Sequence, residues 1–181
     1  MAVIAYQYRG DLVDQIHRGH IAVTDHTGRI LWKLGDPDRL TFARSSAKPL
    51  QAIPVAESGA LEHYGITPQE LAVICSSHNG EPFHVKAVES ILHKAGLSPD
   101  QLCCGAEYPM YVPAEDALKI AGIPRAPIYC DCSGKHAGML ITARHFGESL
   151  ENYTALEHPV QQRILSVFAE MCGVETSDVQ L

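Results

Sequence analysis

Apolar and polar positions follow two different rhythms along this chain. Residues 20–36, HIAVTDHTGRILWKLGD, set two apolar-rich runs either side of DHTG, a pattern that predicts a β-hairpin. Residues 82–97, PFHVKAVESILHKAGL, carry apolar side chains at helical spacing, with Pro82 near the start and Gly96 as a stop. The same reasoning predicts helices over 134–147, ending at Gly147, and over 158–173, with Pro159 early and Gly173 at the end. From Ser45 to about Gly59 the pattern is again helical; Pro49 falls in the first turn, where it is tolerated, and Pro54 is expected to kink or end the helix. TPQE (67–70) and SPDQ (98–101) are capping-box patterns. Two short apolar runs, LAVIC (71–75) and APIYC (126–130), read as buried strands. Strands alternating with helices predict an α/β or α+β layered domain. No repeat, linker or low-complexity tract marks an internal boundary, so 1–181 reads as a single domain.

Composition narrows the function classes. The apolar fraction of 46% and charged fraction of 19% are those of a folded globular chain. A formal charge of −7 without any lysine or arginine run argues against nucleic acid and anionic membrane as partners. No apolar stretch approaches the roughly 20 residues of a membrane span, and the opening MAVIAYQYRGD lacks the layout of a secretory signal. Six cysteines in that context predict a reducing, cytoplasmic location, where cysteine serves metal binding, catalysis or burial more often than disulfides.

Three stretches hold residue types that carry chemistry. In RSSAKPLQ (44–51), Ser45 and Lys48 are one helical turn apart and share a face. A serine hydroxyl becomes a good nucleophile when a base takes its proton, and a lysine can do so where burial or a nearby cation disfavours its ammonium. The same serine also serves as a simple helix cap. CSSHNGE (75–81) follows an apolar run expected to be a strand, and strand ends are where layered folds place ligands. Ser76, Ser77 and His78 offer hydroxyls and an imidazole there, while Asn79-Gly80 also suits a plain turn. CDCSGKHAG (130–138) sets two cysteines, a lysine and a histidine at another such junction. As strand residues, Cys130 and Cys132 are expected to face opposite sides. Cys132 at a helix N-terminus is favoured as thiolate, and His136 is the ordinary zinc-ligand type on spacing alone.

Taken in order, GDPD (35–38), RSSAKP (44–49), CSSHNGEPFHV (75–85) and CSGKHAGM (132–139) resemble the type II, Rhizobium etli-type (thermolabile) L-asparaginases. The resemblance runs along essentially the whole chain, from the N-terminal hairpin predicted around DHTG to HPVQQRIL. It implies a fold similar to serine β-lactamases and penicillin-binding proteins, and hydrolysis of L-asparagine to L-aspartate and ammonia. By motif, Ser45 and Lys48 match the first serine–lysine tandem, and Ser77 matches the serine of a second. His78, Asn79 and Gly80 fall in the expected substrate-binding turn. Cys132 and Lys135 match two ligands of a zinc ion that positions substrate, and here the resemblance prefers Lys135 over His136. The expected assembly is a homo-oligomer, a dimer.

The same resemblance implies residues beyond those present: an aspartate–glycine–cysteine segment with the third zinc ligand, and the lysine that partners Ser77. They are expected beyond VETSDVQL (174–181), where a strand-like VQL has just begun, so the domain reads as incomplete at this end. Two alternatives follow. One is an inactive zinc- or amino-acid-binding remnant of the family. The other is a β-lactam or peptide acyl-transfer enzyme, against which stands the absence of lysine-threonine-glycine and serine-aspartate-asparagine triplets.

Overall fold

The stretch from Ser133 to Phe146 has almost no polar face, and the chain buries it accordingly. In the computed structural model, which describes residues 1–179, this stretch is an α-helix whose residues from Gly138 to Ala143 are all buried. It is the axis of the larger of two compact units, Met1–Ala43 and Arg44–Leu181.

The smaller unit consists of two antiparallel hairpins. β1 (Ala2–Arg9) pairs with β2 (Leu12–Gly19), Ala2 opposite Gly19 and Arg9 opposite Leu12. β3 (Ile21–Thr24) pairs with β4 (Ile30–Leu34), Ile21 opposite Leu34. The second is the hairpin that DHTG predicts. Asp25 builds its turn, one carboxylate oxygen accepting from the Thr27 and Arg29 amides at 2.9 and 3.1 Å. The first hairpin was not predicted, because Ala2-Val3-Ile4-Ala5 runs without alternation and so lacks the two-residue rhythm.

The larger unit is helical. A 3-10 turn (Arg44–Ala47) leads into α1 (Lys48–Glu57), followed by α2 (Ala60–His63), α3 (Pro68–Ile74), α4 (Pro82–Lys94), α5 (Val112–Ile120), α6 (Ser133–Phe146) and α7 (Pro159–Cys172). α1, α2, α3, α4 and α7 all pack on α6. Val55, Ile74, Val88, Ile91, Leu92, Leu140, Ile141, Tyr153 and Val160 form the core between them. With four strands in two small sheets and seven α-helices among the described residues, the architecture is mixed and compatible with α+β.

Both predicted buried strands are corrected. Residues 71–75 belong to the end of α3 and its cap. Thr67 Oγ1 accepts from the Glu70 amide and Glu70 Oε2 accepts from the Thr67 amide at 2.7 Å, a complete capping box with Pro68 at the first turn. A nucleated helix start therefore overrides the apolar run that follows it. Residues 126–130 form a 3-10 turn (Pro127–Tyr129) with one isolated bridge, Glu107 to Ala126. Pro127 supplies no ladder N–H and fixes φ, which suits a turn better than a strand. Pro54, expected to kink or end a helix, lies inside α1, which runs on three residues to Glu57. SPDQ closes its capping box on a short 3-10 turn, Ser98 N donating to Gln101 Oε1 at 2.9 Å. Of the strand-like VQL, Gln180 and Leu181 lie outside the described residues.

Two glycines of the CSGKHAG motif explain how α3 and α6 approach so closely. A Cβ on Gly134 would meet the Val73 carbonyl oxygen and Val73 Cγ1, and one on Gly138 would meet Ile74 Cγ2 at 2.7 Å. The first obstacle is backbone, which cannot rotate away. Gly134→Ala is expected to destabilise the fold by about 3 kcal/mol, read as a lowered urea midpoint with an unchanged m-value.

Candidate functional site

Three segments distant in sequence meet at one end of α6: the first turn of α1, the turn after α3 and the turn before α6. Lys48 opens α1 and is only 3% exposed. Its Nζ donates to Ser77 Oγ at 2.8 Å and to the Asp131 carbonyl at 3.3 Å, and lies 3.7 Å from Asp131 Oδ2. Ser77 Oγ in turn donates to Asp131 Oδ2 at 2.5 Å. A lysine ammonium only donates and a carboxylate only accepts, so the serine proton points at Asp131. Ser77 is exposed, and Asp131 keeps 29% of its side-chain surface. The hydroxyl is therefore open to a substrate while the lysine beneath it is not. Burial pushes the Asp131 carboxyl up, but hydrogen bonds from Ser77 and Cys132 and the Lys48 charge outweigh it and hold the group below the usual carboxylate range.

The turn after Ser77 is tied down along its length. The His78 amide donates to the Asp131 carbonyl at 3.2 Å. His78 Nδ1 accepts from the Gly80 amide at 3.1 Å, which leaves Nε2 to carry the proton toward Ser133 Oγ at 3.0 Å. Burial, then the neighbouring His84 and Lys48 charges, push the His78 imidazole down to about 4 despite Asp131, so it is neutral at physiological pH. Gly80 has φ +71°, and a Cβ there would meet Pro109 Cα at 2.9 Å and the Tyr129 carbonyl at 3.0 Å. Only glycine meets both demands. Asn79 points outward, its carbonyl accepting from the Tyr111 amide at 2.8 Å.

The cysteine-bearing segment differs from its expected strand geometry. Cys130 caps the 3-10 turn, and Cys132 is the N-cap of α6 in helical conformation (φ −97°, ψ −5°). Instead of facing opposite sides, the Cys130 and Cys132 sulfurs and an Asp131 carboxylate oxygen lie within 4.8 Å of one another. A turn brings together what alternation in a strand would separate. Cys130 is buried and donates to the Cys104 carbonyl at 3.3 Å, and burial pushes its thiol up. Cys104, also raised by burial first and by Cys130 next, reaches about 12. Lys135 and His136 follow in the first turn of α6. His136 is buried with Nδ1 2.8 Å from Tyr153 OH, the same hydroxyl that accepts from the Cys103 amide. Burial, then Lys135 and Lys48, push it down to about 4. It is a core histidine.

Of the residues singled out from sequence, Lys48 and Ser77 come into contact. Ser45 is exposed in the 3-10 turn before α1, and the Lys48 hydrogen bonds among the described residues go elsewhere. Asp131 was missed. Its signal was present, an acidic residue between two cysteines ahead of a helix, but a strand reading directed attention to the sulfurs.

An exposed hydroxyl bracketed by a buried cation and a carboxylate is an arrangement able to support hydrolytic chemistry. The L-asparaginase II family model matches residues 5–181, and the chain belongs to that family. A search of curated proteins gave no match.

Proposed function

We propose that this chain hydrolyses L-asparagine to L-aspartate and ammonia through a serine ester, at a site formed by Ser77, Lys48, Asp131 and Ser45. Family membership supports an asparagine amidohydrolase, and the single observation carrying the mechanism is the contact of Ser77 Oγ with both Lys48 Nζ and Asp131 Oδ2. The serine oxygen attacks the side-chain amide carbon, and the C–N bond breaks. The hydroxyl proton passes by way of Asp131 to the departing nitrogen, which leaves as ammonia. Lys48 donates to the attacking oxygen and offsets the charge that develops on it. Water then cleaves the ester, releasing aspartate and restoring the hydroxyl. Ser45, one turn before Lys48 in the chain, is the second candidate for nucleophile.

Asn79, exposed beside Ser77, is proposed to contact substrate, with Gly80 shaping its turn. Cys132 and Lys135 are proposed as zinc ligands. The half-buried Cys132 thiol beside the Asp131 carboxylate is a donor set that fits zinc better than a hard cation. A zinc ion bound there would supply a fixed positive charge beside the substrate. The Arg44–Leu181 unit is proposed to follow the serine β-lactamase pattern, with the S-x-x-K lysine opening its helix, and the assembly to be a homodimer.

The test is ammonia release from L-asparagine by the purified 181-residue chain, with and without zinc. Release above the uncatalysed rate is expected. A folded chain that releases none, in either condition, would reduce the site to an amino-acid- or zinc-binding remnant.

A further inference from the structure

His78 sits next to the reactive serine in sequence, which invites a role in holding substrate, yet its ring is spent inside the protein. It is 3% exposed. Nδ1 accepts from the Gly80 amide, Nε2 faces Ser133 Oγ, and Ser133 Oγ donates onward to the Ile128 carbonyl at 3.1 Å. Because the serine proton goes to that carbonyl, its oxygen is left to accept, and the imidazole must carry its proton on Nε2. One ring therefore fixes one tautomer and one charge state from two sides. One face of the ring is covered by His84, stacked at 5.0 Å between centroids and 18° between planes.

The two ends of this chain of hydrogen bonds are the two turns that build the site. Gly80 and the His78 amide belong to the turn that presents Ser77. Ile128 and Ser133 bracket the segment that presents Asp131, whose carbonyl accepts both the His78 amide and Lys48 Nζ. We infer that His78 is a positioning residue, a neutral latch that locks the Ser77 turn to the start of α6 and so sets the Ser77–Asp131 contact, and that it does not bind substrate. The inference rests on Ser77 and Asp131 being the reacting groups.

Two measurements on the full chain separate its failure from failure of the proposed activity. The first needs no turnover: in 15N-labelled protein, the His78 imidazole is expected as the Nε2–H tautomer at pH 7, with the Nε2 resonance shifting in Ser133→Ala. A cationic ring, the Nδ1–H tautomer, or indifference to Ser133→Ala overturns the latch. The second is kinetic. Ser133→Ala, which never touches substrate, is expected to lower kcat by about 10- to 100-fold with KM unchanged, because small displacements of a reacting group carry losses of that size. His78→Asn is expected to do the same, and the double variant to be no worse than the poorer single one. A KM raised tenfold in His78→Asn with Ser133→Ala silent makes His78 a substrate ligand. Lowered Tm with kcat per folded molecule unchanged makes it purely structural; both overturn the inference. Should His78→Asn not fold, the Ser133→Ala kinetics and the tautomer decide.

Discussion

Lys48→Met should lower ammonia release from L-asparagine by about 10^3-fold or more, a loss of about 4 kcal/mol of transition-state stabilisation, while leaving the fold intact. The reasoning starts from what Lys48 touches. Its amine contacts the Ser77 oxygen and the Asp131 carbonyl and lies near the Asp131 carboxylate. Removing it takes away the cation that, among the described residues, donates to the Ser77 oxygen. Methionine keeps the length and apolar body of the buried stem, and removing one member of a buried pair is costly for stability chiefly where it leaves the other charge buried and uncompensated. Asp131 remains partly open to water, so its charge is not stranded. Full ammonia release by a folded Lys48→Met protein would remove the lysine from the mechanism. The companion pair then assigns the nucleophile. Loss in Ser77→Ala with at least a tenth of the rate kept in Ser45→Ala places it at Ser77. Equal loss in Ser45→Ala moves it to Ser45, with Ser77 relaying the proton.

The second large effect is on stability against pH. His78 and His136 are buried and neutral, their imidazoles pushed from 6.5 down to about 4. Between those values the unfolded chain binds protons at both sites that the folded chain refuses. Stability therefore rises with pH across the window; read downward, it begins to fall near pH 6.5 and the loss is complete near pH 4. Each histidine accounts for at most about 3 kcal/mol of this loss. Below it, Asp131 and Glu70, whose carboxyls are held under their ordinary range, add a further loss as they protonate. Urea unfolding at steps from pH 7.5 to 4.5 should give a falling midpoint, with a shallower slope in His136→Gln. A stability that stays flat between pH 6.5 and 4.5 would mean these rings are protonated within the fold.

The elements legible in the sequence were those whose signals are local. Gly147 and Gly173 both end their helices in left-handed conformation, as their positions predict. The Thr67–Glu70 and Ser98–Gln101 capping boxes are closed, and DHTG turns the β3–β4 hairpin. The misread elements were short apolar runs, LAVIC and APIYC, where periodicity cannot separate a strand from a buried helix or turn. In the first, the deciding information was the cap four residues upstream; in the second it was Pro127.

The site divides along the same line. Sequence alone marked Ser45, Lys48, Ser77 and Cys132 as residue types able to do chemistry, and it placed Lys48 with Ser45, its neighbour by one turn. Tertiary structure paired Lys48 with Ser77, 29 positions away, and brought Asp131 to both across 83 and 54 positions. Those pairings depend on how closely α3 and α6 approach, which Gly134 and Gly138 permit by having no side chain. Spacing along a chain fixes which groups share a turn of helix; only the packing of helices against one another decides which groups from different turns meet.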